Sequence, residues 1–225
     1  MIRVVLFDID GTLIRTGGAG VRAFERTGEQ VFGLVDGMRH MRFAGRTDPS
    51  LIREFFRHHG VAESEENFQR FYDHYVFLLD QLLGQLDGHV CAGVNELLAG
   101  CRALPEPPLL GLLTGNIRLG AEIKLRHFGL WETFVMGAFG SDHEDRNALA
   151  GVARDRAGRI LGRSLRGDEV LVVGDTPFDI ECGRAIGAKV LAVGTGGARL
   201  EDLRHHHPDW LVENLTAVTA AQVCA

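Results

Sequence analysis

Short apolar runs with almost no alternation are the feature that most limits what this chain can fold into. Ile2–Phe7, Leu109–Leu113, Val170–Val173 and Val190–Val193 are near-continuous, and a weaker run covers Trp210–Val212. A strand with one wet face alternates apolar and polar residues, whereas a strand covered by helices on both faces has no need to. The stretches Ile117–Phe128, Arg146–Leu161 and Pro177–Ile186 separate these runs and read as helices, with Pro177 suited to a first turn. Strands alternating with helices predict an α/β fold with a doubly wound parallel sheet.

One connection is too long for that plan. Roughly a hundred residues separate Asp10 from Thr114, where a strand–helix–strand unit takes about 30. The excess carries helical spacing. Phe68, Phe71, Tyr72, Tyr75, Leu79, Leu82 and Leu83 fall on one helix face, and Leu51, Ile52, Phe55 and Phe56 suggest another. Residues 16–88 are therefore expected to form an inserted helical cap, with 1–15 and 89–225 as the α/β core. The expected hinges are Thr16-Gly17-Gly18 and Leu86-Asp87-Gly88, where glycine frees the backbone. The aromatic stripe reads as packing, not as a ligand box.

Bulk properties exclude several functions. The formal net charge of −6 argues against a nucleic-acid-binding surface. No apolar run approaches the ~20 residues that span a bilayer, and Asp8 comes too early for a secretory signal. A cytoplasmic protein, monomeric or homodimeric, is expected. Cys91, Cys101, Cys182 and Cys224 show no paired spacing, so reduced thiols are expected.

In open α/β sheets ligands bind beyond the carboxyl ends of strands, and the distinctive residues gather there. Phe7 leads into Asp8 and Asp10, Leu113 into Thr114-Gly115-Asn116, and Val173 into Gly174-Asp175-Thr176, with Asp179 a turn later. Asp8 and Asp10 are two apart, so in an extended chain they project the same way. Taken singly, each group has an ordinary reading as a cap or a turn. Together, at three strand ends, they point to one acidic site. Carboxylates without Cys or His partners suit Mg²⁺ and not zinc.

These residues carry a resemblance. Asp8-Ile9-Asp10-Gly11-Thr12, Leu112-Leu113-Thr114-Gly115-Asn116 and Gly174-Asp175-Thr176-Pro177-Phe178-Asp179 resemble three motifs of the haloacid dehalogenase superfamily, in its phosphatase branch with a helical cap. The resemblance implies Asp8 as a nucleophile that accepts a phosphoryl group and Asp10 as the acid and base. It implies Mg²⁺ held by the Asp8 side chain, the Asp10 carbonyl and Asp175, with Asp179 acting from a second layer. Gly11 belongs to the first motif's phosphate-facing turn. Thr114, Gly115 and Asn116 would bind phosphate oxygens. The family also places a cation, usually lysine, before the last motif. The chain's two lysines, Lys124 and Lys189, do not fall there, so Arg146 takes that role. The cap would select the substrate, and Arg46 in its basic loop is a candidate contact.

The implied activity is hydrolysis of a small phosphorylated metabolite, similar to phosphoglycolate phosphatase. A β-phosphoglucomutase-like phosphotransferase shares every motif and stays open, as does a non-catalytic phosphate sensor. Asp10 disfavours dehalogenation, and a cap without lysine disfavours phosphonate cleavage through an imine.

Overall fold

A computed structural model describes residues 1–225. Six parallel strands form the main sheet: β1 (Val4–Phe7), β4 (Leu109–Thr114), β5 (Met136–Phe139), β6 (Val170–Gly174), β7 (Lys189–Val193) and β8 (Trp210–Val212). Their spatial order is β5-β4-β1-β6-β7-β8. The chain builds outward from β1 to one side and then returns to build on the other. The strand order therefore reverses at β1, the point at which such sheets open a crevice for ligands.

The apolar runs are buried on both faces. Val5 and Phe7 of β1 join one core cluster with Leu112, Val173 and Leu191. It is covered by α4 (Val94–Arg102), α5 (Arg118–His127) and α9 (Ala220–Cys224). Val4 and Leu6 point the other way, into a cluster with Leu113, Val170 and Val172 beneath α6 (Arg146–Leu161) and α7 (Pro177–Ala185). This two-sided cover explains the missing alternation. One strand escaped the sequence reading. Met136–Phe139 is short, begins half-buried and contains Gly137, so its apolar signal is weak, yet it pairs with β4 at the sheet edge.

Between β1 and β4 lie α1 (Ala19–Phe32), α2 (Asp48–His59) and α3 (Glu65–Leu83), which share their own apolar cluster. Phe71, Tyr75, Leu79, Leu82 and Leu83 are buried along α3, while Phe68 and Tyr72 lie partly buried at its margin. Phe24 of α1 meets Tyr75 edge-on, with ring centroids 4.5 Å apart. Thr47 and Ser64 cap α2 and α3 through their side chains, satisfying backbone donors that a helix start leaves open. The two chain crossings run side by side as β2 (Ile14–Arg15) and β3 (His89–Val90), an antiparallel pair. Gly17 has φ 63° and Gly18 φ 88°, a region open to glycine at little cost. A Cβ at Gly17 would lie 2.7 Å from the Asp87 carbonyl oxygen, so the crossings leave no room for one.

Backbone contacts hold the α2 end of the helical layer against the sheet. Asp48 N–H donates to Gly115 O and Ile117 N–H donates to Asp48 Oδ2, both at 2.8 Å. Thr47 Oγ1 donates to Glu144 O at 3.0 Å, and Arg53 pairs with Glu144 at 2.7 Å. Ile117, at the start of α5, belongs to the apolar cluster of the helical layer.

Candidate active site

Asp8 follows β1 at the reversal point of the sheet, and its N–H donates to Val173 O at 2.9 Å. The chain then turns through Gly11, whose φ is 90°. A Cβ there would lie 2.6 Å from Asp175 Oδ2, so the turn needs glycine twice over. Thr12 Oγ1 donates to Asp175 Oδ1 at 3.1 Å and ties the first acidic strand end to the third.

Asp8, Asp175 and Asp179 form one buried cluster, with one carboxylate oxygen of each within 4.8 Å of the others. Asp179 also accepts from Thr176 N–H and Oγ1 at 2.9 and 2.7 Å, so the residue that caps α7 is fixed in the same place. Arg146, the first residue of α6, enters this cluster. Its Nη2 donates to Asp8 Oδ1 at 3.3 Å and pairs with Asp179 Oδ1. Its Nε is buried without a partner. Burial opposes the charge of Arg146, but Asp179 and Asp8 outweigh it and hold its pKa above the usual value.

One guanidinium offsets only one of three carboxylate charges. The excess of negative charge raises the pKa values of the acids. Burial, then Asp179, push Asp8 up to about 7, against the pull of Arg146. Burial, Asp179 and Asp8 raise Asp175 well above the carboxylate range. Buried charge of one sign calls for a counter-charge. The donors are all oxygen, close together and short of positive charge, so they fit a divalent hard cation such as Mg²⁺.

Asp10 does not join this cluster. Asp8 and Asp10 border the same cavity, but the Asp10 side chain has its own partners. Its carboxyl faces Asn116 and Lys124 instead. Asn116 Nδ2 donates to Asp10 Oδ2 and to Thr114 Oγ1, both at 2.8 Å. Lys124 Nζ donates to Asp10 Oδ2 at 2.7 Å and to Asn116 Oδ1 at 2.6 Å. Lys124 is 3% exposed, unusual for a lysine. Sequence reading passed over it as a mid-helix residue. The available signal was its place in the stripe Gly120, Ala121, Lys124, Leu125, the face α5 buries.

A cavity of about 530 Å³ lies between the strand ends and the helical layer. Asp8, Asp10, Gly11, Thr114, Gly115, Asn116, Lys124, Arg146 and Asp175 line its floor. Asp179 lies beneath, 1% exposed. Gly17, Gly18, Phe24, Arg46, Asp48 and Tyr75 line the opposite side. Gly115 is packed so closely under Arg46 that a Cβ would collide with the Arg46 carbonyl oxygen. The Arg46 guanidinium pairs with Glu54 and donates to Ser50 O at 3.3 Å. Lys189 lies far along the sheet, its ammonium 5.6 Å from the Trp210 ring.

A sheet that reverses at an acidic strand end, with a buried carboxylate triad and a helical layer across the opening, makes an α/β ligand site built to hold a cation. Residues 5–193 match the family model of haloacid dehalogenase-like hydrolases, and the chain belongs to that family. It is 28% identical to pyrophosphatase PpaX of Listeria innocua over 97% of this chain and 95% of that protein. It is 28% identical to a phosphoglycolate phosphatase of Rhodospirillum rubrum over 88% of this chain and 82% of that one. Its fold is similar to that of CbbY from Rhodobacter sphaeroides, solved with phosphate, at a TM-score of 0.77 and 17% identity over the whole of both chains. No helix is long and apolar enough to cross a membrane.

Proposed function

We propose that the chain is a Mg²⁺-dependent phosphatase that hydrolyses a small phosphorylated metabolite through a phosphoryl group carried on Asp8. The observation that carries this reading is the separation of the two aspartates. Asp8 lies in the buried cluster beside Arg146, whereas Asp10 faces the cavity from a different set of partners. Two carboxylates with unlike surroundings suit unlike roles.

An Asp8 oxygen attacks phosphorus as the ester P–O bond breaks. The electron pair leaves with the ester oxygen, which takes a proton from Asp10. Water then attacks phosphorus, gives a proton to Asp10 and releases inorganic phosphate, restoring Asp8. Arg146, whose Nη2 donates to Asp8 Oδ1, screens Asp8 and keeps a fixed positive charge beside the phosphoryl group. The Thr114 hydroxyl, the Gly115 N–H and Asn116 bind the remaining oxygens, since phosphoryl transfer depends on positioning and charge stabilisation. Asp8, Asp175 and the Asp10 carbonyl would hold the ion, with Asp179 completing the acidic set. When bound, the ion neutralises charge on the phosphoryl group and so lets an anionic nucleophile approach.

Residues 16–88 act in this reading as a cap that closes the cavity and excludes water. Phosphoglycolate and inorganic pyrophosphate are the first substrates to assay, given the names of the relatives. Arg46 is proposed to contact a second anionic group of the substrate by exchanging Glu54 for it. The test is phosphate release from p-nitrophenyl phosphate and these two compounds, with and without Mg²⁺, by the native chain, Asp8→Asn and Arg46→Ala. Release that needs Mg²⁺ and Asp8, with KM raised at least about tenfold by Arg46→Ala, is expected. Equal turnover by Asp8→Asn overturns the reading, and an unchanged KM removes Arg46 from it.

A further inference from the structure

Lys124 is a buried cation at the cavity to which the proposed chemistry assigns no task. Taking an ammonium out of water costs several kcal/mol unless partners replace its hydration. Only two do so here, Asp10 Oδ2 and Asn116 Oδ1. The arrangement is directional. Lys124 is a pure donor, so its contact with Asn116 fixes the carbonyl end of that amide and turns Nδ2 towards Asp10 and Thr114. Two donors, Lys124 Nζ and Asn116 Nδ2, then converge on Asp10 Oδ2, and no hydrogen bond reaches Oδ1. The Asp10 side chain is 42% exposed and borders the cavity, while the Lys124 side chain is 4% exposed. One oxygen of the carboxyl is thus anchored to the core and the other is free.

We propose that Lys124 is a positioning residue for Asp10: with Asn116 it anchors Oδ2 and leaves Oδ1 as the atom that gives and takes the catalytic proton. This rests on the phosphatase reading and deepens it. Loss of Lys124 frees the Asn116 amide to turn, and a turned amide sets its carbonyl oxygen against a carboxylate. That disturbs the placement of Oδ1 without touching Asp8, Arg146 or the acidic cluster. Placement errors of this size cost rate in proton transfer.

The two half-reactions separate this role from a structural one. p-Nitrophenolate leaves without a proton, so the first turnover of p-nitrophenyl phosphate needs little from Asp10, whereas attack by water needs Oδ1 as the base. Stopped-flow release of p-nitrophenol is measured with Mg²⁺ for the native chain, Lys124→Met, Lys124→Gln and Asp8→Asn, with folding checked by thermal melts. Lys124→Gln keeps a donor at the position and serves where the methionine variant fails to fold. For a folded Lys124 variant, about one p-nitrophenol per site should appear at close to the native rate. A steady state slowed about a hundredfold should follow, within the range that acid–base groups contribute. Steady-state turnover within twofold of native, or a first turnover slowed as much as the later ones, overturns the assignment. Native-like release by Asp8→Asn would instead overturn the phosphatase reading beneath it.

Discussion

Replacing Asp48 by asparagine should make the protein more stable at neutral pH, although it removes a buried, hydrogen-bonded carboxylate. Asp48 is the first residue of α2 and is 7% exposed. Burial raises its pKa from the ordinary 3.8 to about 7, against the pull of Lys124 and of the Ile117 N–H, with Asp10 adding to the rise. In the unfolded chain the group loses its proton near pH 4, and in the folded protein near pH 7. Between those values the folded state binds more protons than the unfolded state, so this residue's contribution to stability falls as pH rises through that window. A shift of about three pH units, at 1.36 kcal/mol each, amounts to about 4 kcal/mol. Asparagine keeps an acceptor for the Ile117 N–H and does not ionise. Urea unfolding of the native chain and Asp48→Asn is compared near pH 4 and near pH 8. The stability difference should move in favour of the variant by about 4 kcal/mol from the lower to the higher pH. A difference independent of pH, or one that moves in favour of the native chain as pH rises, refutes the reasoning.

Two other perturbations test the site. Arg146→Met strips the buried cluster of its one guanidinium, so it should lower stability by about 3–5 kcal/mol and cut turnover at least about a hundredfold, read by urea unfolding and p-nitrophenyl phosphate hydrolysis. Gly115→Ala drives a methyl group into the Arg46 carbonyl. Because both sides of that contact are backbone, it should cost about 1–3 kcal/mol and lower turnover, visible as a reduced melting temperature with reduced phosphate release.

The strands and the acidic site were legible because their signals are local. Continuous apolarity reports cover on both faces, and a carboxylate directly after such a run marks a strand end. Arg146 was singled out through the family resemblance, which asks for a cation there; the structure puts its guanidinium at Asp8 and Asp179. What sequence did not show depends on contacts distant along the chain. Lys124 reaches Asp10 across 114 positions, and Asp48 accepts from Ile117 across 69. Nothing near either residue announces its partner. The strands β2 and β3 hold two residues each, too few for any periodicity. The different partners of Asp8 and Asp10 were equally out of reach, because Arg146, Asn116 and Lys124 all lie more than a hundred positions away.

The central claim is that Asp8 carries the phosphoryl group. Asp10→Asn retains the nucleophile but lacks the base that activates water, so with p-nitrophenyl phosphate and Mg²⁺ it should stall after the first half-reaction. Acid quenching and peptide mass mapping should then find one added phosphoryl group on the peptide containing Asp8, and none when Asp8→Asn is combined with it. Release of p-nitrophenol with no phosphoryl group on that peptide, or with the group on another residue, would contradict the account.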